Sequence, residues 1–225
     1  MIEKPKKKKK RAKRKLSRTA EFFKAAFIIL VIGTILRIFV VTPYEVSDNS
    51  MQSSLLAGDF LMTSQLAYRF DKPKVGDLIL LEHPLKLGQK LSRRIVAVEG
   101  QRVRIESKVV YVDDKPLPDF ATAKHSDNRI LPREFSDRDF MSSQIVTPGH
   151  VFVMGDNRDQ TEDSRDFGLV PTANIKGKGL FVYFSWTLDP NAPKMESPYI
   201  VPAIQIFFYS LYTFPSRVRW DRFFI

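Results

Sequence analysis

The chain is 225 residues long, 44% hydrophobic and free of cysteine, which suits one compact domain with appendages and excludes wholesale disorder, disulfide bridges and thiolate chemistry. Its formal net charge of +11 suggests nucleic acid until it is located: residues 1–18 hold eleven Lys or Arg against the single acid Glu3, and the remainder is close to neutral. A nucleic-acid-binding arm is the competing interpretation of that tail.

The tail, residues 1–19, is too charged to fold alone. The adjoining segment decides between the interpretations, because Phe22 to Val41 (FFKAAFIILVIGTILRIFVV) is an apolar run of the length a helix needs to cross a bilayer. Lys24 and Arg37 lie near its ends, where long side chains reach the interface. Positive charge stays on the cytoplasmic side. The expectation is therefore a cytoplasmic tail, a transmembrane anchor at 20–41, an extracytoplasmic domain at 42–225 and no nucleic-acid partner. Val41, Thr42, Pro43 and Tyr44 do not form a small-x-small cleavage site, so the anchor reads as uncleaved.

From Pro43 onward, apolar residues fall in short runs bounded by Gly, Pro and Asp, a β pattern. Strands are expected at Leu55 to Leu61, Asp77 to Leu81 and Ile95 to Val98. Val103 to Ile105 and Val109 to Val112 read as a hairpin closing on Asp113-Asp114-Lys115-Pro116. Residues 117–147 are polar and rich in paired charges, and are expected to be a loop-rich excursion. The strand signal returns at Val151 to Met154 and at Gly179 to Trp186, with a long loop, Gly155 to Asp166, between them. Tyr199 to Phe214 is apolar and aromatic but too short to span. It is either a core segment or one lying at the lipid headgroup level, and Arg217, Arg219 and Arg222 after it either meet anionic lipid or form a solvated edge.

Thr42 to Met62 carries the pair Ser50-Met51, and with the Gly-Asp turns it resembles type I signal peptidase, the membrane-anchored Ser/Lys protease of bacteria. The nucleophile segment of that family reads roughly P-S-x-S-M-x-P-T-L-x-x-G-D, and Ser50, Met51, Leu55, Gly58 and Asp59 occupy its places. Val75 to Leu78 resemble the next box, and Arg94, Ile95, Val96 and Gly100 the one after. The most specific match is Gly155-Asp156-Asn157-Arg158-Asp159-Gln160-Thr161-Glu162-Asp163-Ser164-Arg165, close to the family's G-D-N-R-D-N-S-x-D-S-R. Alternating carboxylate, amide and guanidinium groups in one loop can close a hydrogen-bonded network. Asp156, Asn157, Arg158, Thr161, Asp163, Ser164, Arg165 and Arg94 are accordingly expected to support the site, and Met51 to face substrate.

The resemblance implies a mostly β fold, an antiparallel sheet domain behind one N-terminal transmembrane helix. It implies removal of signal peptides from exported preproteins, the substrate partners, with the lipid bilayer as the second partner. Ser50 would be the nucleophile, a neutral lysine its base, and a serine two positions earlier an oxyanion donor. This sequence departs at both supporting positions: Arg93 stands where the lysine belongs and Asp48 where the serine belongs, with Ser47 and Ser53 replacing prolines. A guanidinium keeps its proton in proteins, and an ionised carboxylate repels a developing oxyanion. Two substitutions of opposite charge suggest an Asp48–Arg93 pair across the pocket. The alternative is a catalytically impaired homologue that binds without cleaving. Lys90 as a substitute base requires a slipped strand, and His83, His125 and His150 read as structural. No metal-ligand spacing and no phosphate loop is present, so no metal and no cofactor is expected.

Overall fold

A computed structural model describes residues 18–39, 41–118, 120, 122–193 and 200–224. Most of the basic tail lies outside these residues. Two units separate at residue 38. The first holds α1 (Arg18–Phe39), whose apolar residues are not confined to one face. Phe22, Phe23, Phe27, Ile29 and Leu30 are each about two-thirds exposed. Among the described residues no helix is long and apolar enough to cross a membrane, and the side chains of 35–40, the end of the expected span, lie outside them.

The second unit is built from eleven strands: β1 (Val41–Glu45), β2 (Asp59–Ser64), β3 (Leu78–Glu82), β4 (Lys90–Val98), β5 (Arg102–Glu106), β6 (Val109–Val112), β7 (Lys115–Pro116), β8 (Met141–Ile145), β9 (His150–Met154), β10 (Val170–Pro171) and β11 (Ile175–Ser185). Every ladder is antiparallel. One sheet runs β1-β2-β11-β3-β4-β9-β10 and the other β7-β6-β5-β8. Short helices α2 (Ala67–Phe70) and α3 (Ser164–Phe167) and the longer α4 (Ile200–Arg217) complete the chain.

Strand alternation decides which side chains meet. Leu91 and Ile95 of β4 pack in one core cluster with Ile79, Leu81, Val151 and Val153. Arg93 lies between them on that face, opposite Ile79, and Arg94 turns the other way. Val96, Phe152 and Met154 join residues of the smaller sheet in a second cluster. The third, with Val46, Met51, Leu55, Leu61 and Val182, lies under the turn that carries Ser50.

Four expectations are corrected. The β5–β6 hairpin closes at Ser107-Lys108, both in the left-handed region, and Asp113-Asp114 instead turn β6 into β7. The excursion 117–147 contributes a strand, β8, which pairs with β5. The apolar C-terminal segment is a helix, α4, and does not serve as core: Val201, Ile204, Phe207, Phe208 and Leu211 are all more than half exposed. Arg219 and Arg222 are not a solvated edge, since both reach the fully buried carboxylate of Asp59, at 3.1 and 2.6 Å.

Candidate active site

The Ser50 turn is fixed at its neck. Val46 N–H donates to Asp59 O and Gly58 N–H to Val46 O, each at 2.8 Å. Gly58 sits at φ +87°, and an added Cβ would collide with the Trp186 carbonyl, so only glycine fits. Within the loop, Ser54 and Leu55 N–H both donate to Met51 O, making a single helical turn that drives Met51 and Leu55 into the core. Met51 is therefore corrected from a substrate-facing residue to a fully buried one. Its sulfur accepts from Asp156 N–H at 3.4 Å.

Ser50 is 8% exposed. Its carbonyl accepts from Asn157 N–H at 2.9 Å and from Thr161 Oγ1 at 3.1 Å. Its own N–H donates to Asp48 Oδ1 at 3.1 Å. Its hydroxyl has no hydrogen-bond partner among the described residues. Gly155 makes the close approach possible, because a Cβ there would lie 2.7 Å from the Ser50 carbonyl and inside the Thr161 side chain.

Arg93 enters the same pocket from β4. It is 2% exposed, with Nε and Nη2 donating to Glu162 O at 3.0 and 2.8 Å and Nη1 to Ser92 O at 2.6 Å. Nη1 lies 3.8 Å from Asp48 Oδ2, an ion pair beyond direct hydrogen-bond range. Burial pulls the guanidinium below its usual pKa, while Asp48, Asp163, Tyr44 and Glu162 oppose that shift. It stays cationic, as guanidinium groups in proteins do. The Tyr44 phenol is pushed up to about 12, first by burial and then by the Asp48 charge, against Arg93. Asp48 thus lies between the Ser50 amide and the Arg93 guanidinium.

Behind Ser50 lies the network expected from the loop sequence. Arg94 clasps Asp156 through Nε–Oδ1 at 2.8 Å and Nη2–Oδ2 at 2.6 Å. The Ser54 and Thr122 hydroxyls also donate to Asp156. Burial raises the Asp156 pKa, but Arg94 outweighs it and holds the carboxyl below its ordinary range. Asp163 caps α3, accepts from Gly155 N–H at 3.1 Å and binds Arg165 through both oxygens at 2.8 Å. Arg165 in turn donates to Arg158 O, and Ser164 Oγ accepts from Val153 N–H. Asn157 Nδ2 reaches back to Asn49 O at 3.2 Å. These residues brace the Ser50 loop through its backbone.

The other candidate bases are placed elsewhere. Lys90 pairs in unslipped register with Glu82 at the exposed start of β4. The buried His83 accepts from Leu85 N–H and packs on Phe167, His125 lies near Asp159, and His150 belongs to the Thr147–Pro148 turn. Sequence reasoning missed Tyr44, Ser54, Thr122 and Glu162. Ser54 lies four residues past Ser50 and was readable as a neighbour, whereas Thr122 lies in the excursion and Glu162 acts through a carbonyl that every residue carries.

Residues 19–186 match the family described as signal peptidase, peptidase S26. The chain is 34% identical over 164 residues to a probable signal peptidase I-1 of Synechocystis, covering 70% of this chain and 78% of that one. It is 26% identical over 242 residues to a signal peptidase I of Aquifex aeolicus, covering 85% and 94%. A solved signal peptidase I structure from Enterococcus faecalis matches at 23% identity over 48% of this chain and 97% of that one, with a TM-score of 0.35.

Proposed function

Since this chain belongs to the signal peptidase family, peptidase S26, we propose that it acts as a signal peptidase I-type serine endopeptidase, removing signal peptides from exported preproteins with Ser50 as nucleophile. The observation that carries this reading is the setting of Ser50: its backbone is fixed by Asn157 and Thr161, while its hydroxyl is uncommitted. Ordering the main chain and leaving the attacking atom unengaged is what positioning for nucleophilic catalysis requires. Asp156, Asn157, Arg158, Asp163, Ser164, Arg165 and Arg94 act as scaffold. β1 lies at a sheet edge, where an extended substrate can add as a strand.

The reading includes an uncleaved anchor at 20–41, with the tail cytoplasmic and the domain outside. Its support is the excess of eleven basic over two acidic residues before the apolar run. The exposed aromatic and aliphatic residues of α4 suit a second lipid contact, lying in the interface.

A second reading is favoured by Arg93 and Asp48, because no neutral amine is present at the base position and the Ser50 N–H is already occupied. On that reading the chain holds exported chains or membrane partners without cutting them. Cleavage of a signal-peptide substrate in detergent separates the two. Turnover by the wild type that Ser50→Ala abolishes supports the peptidase. No turnover by the wild type, together with retained binding of the peptide, supports the binder.

A further inference from the structure

We propose that in this chain the two supporting roles have changed hands: Asp48 is the general base for Ser50, and Arg93 is a fixed cation that stabilises the oxyanion. This assignment rests on the peptidase reading. Asp48 Oδ1 already holds the Ser50 N–H at 3.1 Å, its side chain is 39% exposed, and its other oxygen is 3.8 Å from Arg93. Arg93 itself is immobilised by Glu162 O and Ser92 O.

The electrostatic objection to a carboxylate beside an oxyanion disappears once the proton is followed. In the resting site one negative charge, on Asp48, lies between the Ser50 amide and Arg93. Asp48 turns from the amide to the hydroxyl and takes its proton as Ser50 Oγ bonds to the scissile carbonyl carbon, while the π pair moves onto the carbonyl oxygen. Asp48 is then neutral, and the single negative charge has passed to the oxyanion. The vacated Ser50 N–H donates to that oxygen, and Arg93 faces it. Asp48 returns the proton to the leaving amine as the C–N bond breaks. For deacylation it takes a proton from water as the water oxygen attacks the ester, and gives it to Ser50 Oγ as the C–O bond breaks. Charge and protons balance, and beyond substrate and water the sequence of steps needs only the turn of the Asp48 side chain from the amide to the hydroxyl.

The charged and titratable groups facing Asp48 are Arg93 from β4 and Tyr44 from β1. Glu162 and Asp163 surround Arg93 from the long loop.

The test is the pH profile of kcat for the full chain in detergent. A carboxylate base gives activity that persists on the acid side of neutrality, where an amine base is protonated. A lysine base tuned to about 7–8 would be silent there. Asp48→Asn is expected to lower kcat by about 10²–10⁴-fold with KM and thermal stability little changed, and Asp48→Glu to recover part of the loss. The paired replacement Asp48→Ser with Arg93→Lys is expected to move the acid limb to above neutrality. Cleavage that Asp48→Asn leaves intact, or a wild-type profile whose limb lies at or above neutrality, overturns the proposal while leaving the peptidase reading standing. A wild type inactive at every pH overturns that reading, and this proposal with it.

Discussion

Asp48 and Ser50 are joined by a 3.1 Å hydrogen bond from the serine amide to the aspartate carboxylate, so the amide of Ser50 is engaged by a side chain only two residues away. Removing the carboxylate frees that amide and takes from Arg93 its partial counter-charge. Because Asp48 is more than a third exposed, the ion pair is screened, and Asp48→Ala is expected to cost only about 1 kcal/mol of stability. Urea denaturation of the detergent-solubilised chain measures it.

The Arg94–Asp156 pair is different in kind. Asp156 is buried and bound by two guanidinium bonds and two hydroxyls. Asp156→Ala leaves a mostly buried guanidinium and two hydroxyls without this acceptor, and a loss of about 3 kcal/mol is expected. Arg94→Lys, which cannot form the bidentate fork, is expected to recover little in thermal melts.

Acid should loosen the same region. Asp156 and Asp59 are both held below the ordinary carboxylate range: burial raises each, and an arginine together with neutral hydrogen-bond donors more than offsets it. A depressed folded-state value means that their contribution is complete above the unfolded value and is lost as the pH falls through the folded one. Unfolding free energy should hold from neutrality down to the ordinary carboxylate range and decline below it. Arg222→Gln should flatten the part of that decline due to Asp59.

Ser53 stands at φ +106°, a region a residue with a Cβ rarely enters and proline cannot reach. Ser53→Gly is expected to stabilise the fold by about 1 kcal/mol, and Ser53→Pro to disrupt the Ser50 turn. Paired thermal melts and peptide-cleavage assays check both.

Gly155→Ala places a methyl group against the Ser50 carbonyl and the Thr161 side chain. Overpacking of this kind costs about 1–3 kcal/mol, and here the displaced atoms include the carbonyl of Ser50 itself. The expected outcome is a fall in kcat larger than the stability loss accounts for, measured on folded protein well below its melting temperature.

Much of this site was legible because its determinants are side chains in a contiguous run. Residues 155–165 announced a charged network, and the network is there, with Arg94 as its partner from β4. Arg93 and Asp48 announced opposite charges, and they face each other. What stayed hidden depends on which side of the chain faces inward. Met51 beside a nucleophile suits substrate as well as core, and only the helical turn at 51–55 decides for core. β8, with the sequence MSSQI, has too few apolar residues to show an alternating pattern, because all but its first residue face outward or lie at the surface. Ser107-Lys108 carries no glycine, yet takes the left-handed turn that Asp113-Asp114 also takes. The C-terminal helix holds Pro202 in its first turn, where the missing N–H has no intrahelical partner to lose, and Pro215 inside its last turn, where it removes one backbone hydrogen bond.

Glu162 divides its labour by atom type. Its carboxylate receives Lys86 at 2.7 Å, with His83 nearby at 3.4 Å, whereas its carbonyl oxygen takes two donors from Arg93. The seat of the guanidinium is thus written into the path of the main chain, and residue 162 can change identity without unseating it. An amine introduced at position 93 would enter a pocket whose acceptors are set by the backbone, so that half of the paired exchange needs no rebuilding of its surroundings.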